Sequence, residues 1–133
     1  MFFKRKIREP NWRKRAEVGK WGEEVAARHL QDKGYKIVAR HFTHRIGEID
    51  IVASKAGRII FVEVRTKTSL RYGRPEESVG WHKQERLRRT ANVYMLKQKL
   101  GNVPYQIDFL AVLYDPLHKE TKIRHLENVI QGR

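Results

Sequence analysis

The sequence predicts a single α/β domain in which helices pack against a mixed β-sheet, in the order α-β-β-β-α-β-β. Two segments space their apolar residues at the 3.6-residue period of an amphipathic helix, and five short runs have the Ile- and Val-rich composition of strands. A length of 133 residues suffices for one hydrophobic core and is too short for two. We therefore expect one domain over residues 13–133, preceded by a flexible basic arm over residues 1–12.

The first helix is predicted over residues 13–33, because Gly34 is a common helix-ending residue. At 100° per residue, its apolar stripe includes Trp21, and Glu23 falls on the flank of that stripe. Glu24 points in nearly the opposite direction. Two adjacent glutamates are thus separated, and we expect Glu23 to face the sheet and Glu24 to face water.

An acidic hairpin follows a first strand over residues 35–40. Its two strands are predicted over residues 47–53 and 59–65, and a turn-forming segment separates them. Asp50 and Glu63 interrupt these otherwise apolar strands, thirteen positions apart, a spacing that a tight hairpin brings side by side. Because an unpaired charge in an apolar environment is costly, each carboxylate is expected to be compensated by a cation, a metal ion or a hydrogen-bond donor.

The second helix is predicted over residues 76–100, with Gly101 as its stop. Lys83 falls inside its apolar stripe, where a lysine either extends outward or meets a carboxylate. We favour a contact with the acidic hairpin. Strands over residues 105–114 and 122–126 complete the domain, and Asp108 either supports the acidic site or bonds a nearby backbone group or arginine.

The formal net charge of +14 indicates a polyanionic partner, with nucleic acid first and DNA as the expected form. The alternative is that surplus Lys and Arg only keep a small protein soluble. The side chains expected to contact phosphate lie in the loop after the hairpin and on the second helix. They are Lys67, Arg71, Arg74, Arg86 and Arg89.

The absence of cysteine excludes disulfides, thiol catalysis and Cys-ligated metal centres, so any metal would be held by oxygen or imidazole. No apolar run reaches the roughly 18 residues of a membrane span, and the start of the chain lacks the apolar segment of a signal peptide. These features predict a cytoplasmic protein without a membrane partner.

The chain resembles the YraN-like family of bacterial proteins in several short motifs. They are Gly19-x-x-Gly22-Glu23, Gly34-Tyr35, Gly47-Glu48-Ile49-Asp50, Phe61-Val62-Glu63-Val64-Arg65, and Ser78-Val79 through Lys83. That family is placed in the restriction-endonuclease-like, PD-(D/E)XK nuclease superfamily, near the archaeal Holliday-junction resolvases. The resemblance implies a restriction-endonuclease-like core and nuclease activity. Resolvase-like relatives commonly form dimers, so a homodimer is an expectation, although the sequence shows no self-complementary patch.

Carried over to this chain, the resemblance makes Asp50 the aspartate of the superfamily signature and Glu63 its second acid. Glu23 matches the helix glutamate of the resolvase-like branch. Arg65 occupies the position where a lysine is usual, and arginine cannot act as a base because it stays protonated. Arg65 can still stabilise charge on phosphate, and Lys83 could supply an ammonium group from the neighbouring helix.

The acidic residues predict a Mg²⁺ or Mn²⁺ site, because hard divalent cations prefer oxygen ligands. Asp50 and Glu63 are the expected ligands, with Glu23 as a third, and phosphodiester hydrolysis is the chemistry such an ion supports. Two alternatives remain open. The chain could be a non-catalytic nucleic-acid-binding module that retains the fold, or a scaffold in which the acids only pair with Arg65 and Lys83.

Overall fold

The computed structural model of the protein describes residues 1–68 and 80–130 and confirms the predicted order of elements. The helices and strands are α1 (Arg15–Asp32), β1 (Lys36–His44), β2 (Gly47–Lys55), β3 (Arg58–Lys67), α2 (Trp81–Lys97), β4 (Tyr105–Asp115) and β5 (Glu120–Leu126). The first predicted turn of the second helix, residues 76–79, lies outside the described residues. Neither described helix carries an apolar stretch long enough to cross a bilayer.

One five-stranded mixed sheet forms the centre of the molecule, with its strands in chain order from β1 to β5. β1, β2 and β3 form an antiparallel meander, β3 and β4 are parallel, and β4 and β5 are antiparallel. Parallel neighbours need a crossover connection, and the segment containing α2 provides it. The α/β class with a mixed sheet is therefore as predicted, whereas the likeness to a restriction-endonuclease core stays a prediction.

The two helices cover opposite faces of the sheet, because side chains alternate between faces along each strand. α1 packs its buried residues against one set of strand residues, and α2 packs against the alternate set. The fully buried strand residues on the α1 face include Ile51, Val62 and Leu110. Those on the α2 face include Val52 and Phe61. Both faces of the central strands are thus apolar, which makes any charged side chain there an exception.

β1 is longer than predicted, because its pairing with β2 continues as far as His44 opposite Gly47. The predicted strand ends at Arg40, with His41 in the approach to the hairpin. His41 instead lies within β1, where its φ of +54° marks an irregular backbone. This irregularity turns a histidine toward the acidic residues, as described below.

Two glycines let the helices approach the sheet closely. A Cβ on Gly22 of α1 would lie only 1.9 Å from the Thr66 hydroxyl oxygen on β3. A Cβ on Gly47 of β2 would lie 2.6 Å from the corresponding oxygen of Thr90 on α2. Since neither contact leaves room for a side chain, both helices are held against the end of the sheet where β2 begins and β3 ends.

The N-terminal arm makes specific contacts with the domain. The Phe3 N–H donates to the Thr121 carbonyl at 2.9 Å, which places the start of the chain beside β5. Trp12 stacks on Tyr114 with 4.2 Å between ring centroids, and the Tyr114 hydroxyl donates to Glu9 at 2.9 Å. The mobility of residues 1–12 stays a prediction, but these contacts show how the arm covers the edge of the α1 core.

Candidate active site

The regular pairing of β2 stops at Asp50. Pairing with β1 includes Ile49 and Ile51 but passes over Asp50, and pairing with β3 ends where Ile51 faces Val62. Continued by one position, the same register places Asp50 beside Glu63. The hairpin therefore brings the two acids together, as their spacing predicts, at a point where the backbone ladder is open.

At this opening, the Asp50 carboxylate accepts a hydrogen bond from the backbone of β3. The Val64 N–H donates to Asp50 Oδ2 at 2.9 Å. Burial raises the pKa of Asp50 to about 8, and the negative charge of Glu63 adds to this effect. A hydrogen bond from Val64 acts in the opposite direction but does not offset them. Without an added cation, Asp50 is thus largely protonated near neutral pH.

Glu63 lies almost completely buried on β3 and has two cationic neighbours. Lys83 Nζ of α2 is 2.9 Å from Glu63 Oε2, and Arg65 Nε is 3.7 Å from the same oxygen. The contact between Lys83 and a hairpin acid was expected from the sequence and is present. Arg65 Nε is itself buried without a hydrogen-bond partner in the described structure. The site therefore contains an arginine nitrogen that a further acceptor could satisfy.

These groups line a cavity of about 580 Å³ at the end of the sheet. It lies between the β1–β2 turn, the end of β3 and the start of α2. The cationic lining residues are Arg45, Arg65, Lys83 and Arg86, and the acidic ones are Glu48, Asp50 and Glu63. A lining that contains both carboxylates and cations suits a ligand that is anionic yet bound through a cation.

Glu23 reaches the same region from α1, with a side chain only 16% exposed. Burial raises the pKa of Glu23, while His41 and Arg40 partly oppose that rise. The charges of Glu48 and Glu63 raise it further, so Glu23 is within electrostatic range of the acidic pair. It is, however, not among the residues that line the cavity. The structure thus brings Glu23 near Asp50 and Glu63 without placing it beside them.

His41 lies between two glutamates that come from different elements. Its Nδ1 is 3.0 Å from Glu48 Oε1, and its Nε2 is 2.9 Å from Glu23 Oε1. The second contact has the distance of an ion pair but not the geometry of a hydrogen bond, because Glu23 Oε1 is buried without a hydrogen-bond partner among the described residues. Glu23 Oε1 is thus incompletely satisfied. Sequence reasoning missed this role of His41, since the irregular backbone that creates it has no local signal.

Asp50 and Glu63 form a donor set that suits Mg²⁺ or Mn²⁺. Within residues 1–68 and 80–130, no group of three His, Asp or Glu side chains is arranged to hold a metal ion. Mg²⁺, however, commonly binds through one or two carboxylates and keeps several waters. Asp50 and Glu63 are two such carboxylates beside an open cavity, and their mutual repulsion is what a divalent ion would relieve. The residues present therefore fit the ion, with Glu23 as an outer neighbour.

The predicted phosphate contacts are only partly assembled around this cavity. Arg86 lines it, Lys67 lies at the end of β3, and Arg89 is located on α2. Arg71 and Arg74 lie outside the described residues. Arg45, which was not singled out in the sequence, lines the cavity from the two-residue β1–β2 turn. Its position directly before Ile46 and Gly47 is the signal that could have identified it.

Asp108 is fully buried on β4 and does not belong to this site. It accepts hydrogen bonds from the Asn128 backbone N–H at 2.9 Å and from the Gln106 amide at 2.9 Å, and it lies 2.7 Å from His125 Nε2. Of the two roles that its sequence position allowed, the structure supports bonding to a nearby backbone group. Asp108 shares the α1 face with Leu110, whereas Asp50 and Glu63 share the α2 face with Val52 and Phe61.

Comparison with known proteins identifies a family. Residues 22–112 match the model described as "Uncharacterised protein family UPF0102". A UPF0102 protein of Caldanaerobacter subterraneus subsp. tengcongensis is 40% identical over 113 residues, which cover 84% of this chain and 92% of the relative. One from Alkaliphilus metalliredigens is 39% identical over 111 residues (84% and 95%), and one from Syntrophomonas wolfei is 40% identical over 112 residues (84% and 96%). The matched region contains Asp50, Glu63, Arg65 and Lys83.

Proposed function

The chain belongs to the uncharacterised protein family UPF0102, the YraN-like family indicated by its motifs, and we propose that it is a divalent-metal-dependent nuclease that hydrolyses phosphodiester bonds in DNA. One observation carries the proposal. Two acids from neighbouring strands, Asp50 and Glu63, meet at an open end of the sheet inside a cavity that is also lined by cations. A binding surface for a polyanion has no use for buried carboxylates, whereas a hydrolytic site for a phosphodiester needs both kinds of charge.

Asp50 and Glu63 would hold the ion, with Glu23 reaching it directly or through water. A divalent ion there supplies Lewis acidity and the easier ionisation of water that phosphodiester hydrolysis needs at neutral pH. Because the pKa of Asp50 is raised, binding of a divalent ion by this carboxyl would release a proton near neutral pH.

Arg65 and Lys83 are the groups that would stabilise the additional negative charge of the reacting phosphate. Arg65 supports this role because its buried Nε has no hydrogen-bond partner in the described structure. Lys83 supports it because its ammonium group, 2.9 Å from Glu63, lies on the cavity wall. Arg65 does not act as a base, because arginine stays protonated. Arg45 and Arg86 would bind flanking phosphates through their positive charge.

The test is cleavage of double-stranded, single-stranded, flapped and branched DNA, with matched RNA, in the presence of Mg²⁺ or Mn²⁺. The proposal expects cleavage that is abolished by chelation and by Asp50→Asn or Glu63→Gln. Asp32→Asn, which changes an exposed aspartate on α1, is the matched control and should cleave like the wild type. Binding without cleavage of any substrate by metal-replete protein would falsify the catalytic proposal.

A non-catalytic nucleic-acid-binding module is the alternative, and two observations favour it. Lys83 already neutralises Glu63, and no three-residue metal cluster is preformed in the described part of the chain. In such a module Asp50→Asn should leave DNA binding nearly unchanged near neutral pH, where Asp50 is largely protonated, and should tighten it above about pH 8, where the carboxylate would face phosphate. In a nuclease the same substitution should weaken ion binding and abolish cleavage. The two functions therefore predict different consequences of one change: an effect on DNA binding alone in the module, and a loss of ion binding and cleavage in the nuclease.

A further inference from the structure

A second polar cavity, of about 430 Å³, lies on the α1 face of the sheet. It is formed by the last turn of α1, the end of β2 and the end of β5. The side chains that matter for its chemistry are His29, Lys33, Tyr35, Lys55, His125 and Glu127. None of them lines the cavity that contains Asp50 and Glu63, which lies on the α2 face. This second cavity is therefore separate from the proposed catalytic site and does not depend on it.

His29 is the first indication of a ligand. Its side chain belongs to the buried set at 6% exposure and lines the cavity, yet it makes no hydrogen bond or ion pair to any described residue. Neither ring nitrogen is among the fully buried unpaired atoms of the described residues, so both open onto accessible space, where a ligand can bond them. Burial lowers the pKa of His29, as do the charges of Lys33 and His125, whereas the charge of Asp32 acts in the opposite direction.

His125 is the second indication, because the protein fixes its orientation. Its Nε2 lies 2.7 Å from Asp108 Oδ2, and Asp108 is fully buried and also bonded by Asn128 and Gln106. The Asp108 carboxylate bonds the His125 ring but does not line the cavity. His125 Nδ1 has no partner among the described residues. A ring held on one side by a buried acid presents its other nitrogen in a fixed position.

The charged residues that line the cavity favour an anionic ligand. Lys33 and Lys55 both line it, and Glu127 is the one carboxylate among its described lining residues. The Lys55 ammonium is held in place, 2.7 Å from the Lys33 carbonyl and 4.5 Å from the centre of the Tyr35 ring. A divalent cation would be repelled by the two lysines. A doubly charged oxyanion, in contrast, can accept hydrogen bonds from imidazole and ammonium groups at once.

We propose that this cavity binds a phosphate monoester, with the phosphate held by the imidazoles of His29 and His125. Lys33 and Lys55 supply the charge that offsets the dianion. The cavity volume falls in the range of about 300 to 1,000 Å³ typical of small-molecule sites, so a group attached to the phosphate can be accommodated. Such a group can come from the phosphorylated end of a nucleic-acid strand or from a free phosphorylated metabolite.

Imidazole NMR signals provide the direct test, with inorganic phosphate as the probe at constant ionic strength. The His29 and His125 signals should move together and saturate. Those of His118, an exposed histidine paired with Asp115, should stay in place and serve as an internal control. Absence of a saturating change, or equal changes at His118, would overturn the proposal. A response of the two rings to Zn²⁺ with none to phosphate would overturn it as well.

Variants give the second test. His29→Gln should weaken phosphate binding by about tenfold or more, the loss expected for one charge-assisted hydrogen bond. Because His29 is buried, its substitution can affect folding. Lys33→Gln changes a surface residue with little risk to folding, and it should also weaken phosphate binding. Unchanged affinity in a folded His29→Gln protein and in Lys33→Gln would contradict the site.

A comparison of ligands separates the two sources of the phosphate. A 5′-phosphorylated dinucleotide that binds more tightly than inorganic phosphate, while the hydroxyl-ended dinucleotide does not bind, would identify a strand end. Equal binding of inorganic phosphate and the phosphorylated dinucleotide would identify the phosphate group alone. Stronger binding of the hydroxyl-ended dinucleotide than of either phosphate ligand would contradict the proposal.

Discussion

Lys83 on α2 and Glu63 on β3 form an ion pair with 2.9 Å between Nζ and Oε2, and the two residues differ in exposure. The Lys83 side chain is 38% exposed, whereas that of Glu63 is 5% exposed. Removal of the lysine therefore leaves a buried carboxylate with Arg65 as its nearest described cation, at 3.7 Å. The Lys83 ammonium group thus supplies, beside Glu63, the positive charge that a bound metal ion would otherwise supply.

Lys83→Met should destabilise the protein by about 1–2 kcal/mol without added metal. The figure is below that for a fully buried pair because the lysine is partly in water. Added Mg²⁺ should restore part of the stability, since a cation again faces Glu63. Urea unfolding with and without Mg²⁺ measures both effects. Lys97→Met, an exposed change on the same helix, is the control, and an equal loss in both variants would show that the ion pair is unimportant.

Asp50→Asn should change how stability depends on pH. The folded-state pKa of Asp50, about 8, lies above its ordinary value of 3.8, so the protonated carboxyl stabilises the fold at low pH. This contribution is complete below about pH 4 and is lost as pH rises through 8. In chelator, the variant should therefore gain stability relative to wild type as pH increases, by about 4 kcal/mol between pH 5 and pH 9. Urea unfolding at pH 5, 7 and 9 tests this.

The same series includes Asp32→Asn as its control, because Asp32 is half exposed and pairs with Arg5 at the surface. Its stability relative to wild type should be nearly independent of pH between 5 and 9. A constant difference between Asp50→Asn and wild type across this range would mean that the buried carboxyl does not titrate as described.

Glu23→Gln and Glu24→Gln should differ in their effect on metal binding. Glu23 lies within electrostatic range of Glu63, whereas Glu24 bonds Arg28 and Arg40 at the surface. We expect Mn²⁺ affinity, measured by calorimetry, to fall about tenfold in the Glu23 variant, the lower end of the loss typical of outer residues at metal sites. The Glu24 variant should bind like wild type. Equal affinities in the two variants would remove Glu23 from the site.

Gly22→Ala and Gly19→Ala form a matched pair on α1. A Cβ on Gly22 would collide with Thr66, while one on Gly19 would meet nothing within 4 Å. The first change should cost about 1–3 kcal/mol through overpacking. The second should stabilise the helix by about 0.5–1 kcal/mol, because alanine has the higher helix propensity. Thermal unfolding of both variants gives the measurement, and destabilisation of similar size in both would contradict the close contact.

The hairpin part of the site could be predicted from sequence because it depends on local rules. Strand alternation and a short turn fix which side chains of residues 47–65 share a face, so the meeting of Asp50 and Glu63 follows from the order of residues alone. The contact of Lys83 could be predicted in a similar way. Helical periodicity places this lysine on the buried side of its helix, and the hairpin offers carboxylates for it to pair with.

The remaining features depend on distant parts of the chain. His41 meets Glu23 and Glu48 because the backbone of β1 is irregular there, and periodicity does not register a single positive φ. Asp108 meets His125 across neighbouring strands, and both roles expected for Asp108 were compatible with its sequence position. Such contacts need the sheet order, which the sequence does not specify uniquely.

The pairing of residues 1–3 with β5 has a consequence for how the protein is made. Phe3 and Thr121 are joined by a backbone hydrogen bond although nearly the whole chain separates them. On the ribosome, residues 1–3 must therefore wait until β5 has been synthesised before they reach their native position, and contacts of such long range form slowly. Until β4 has also been synthesised, the Trp12 ring lacks Tyr114, the residue on which it stacks in the folded protein.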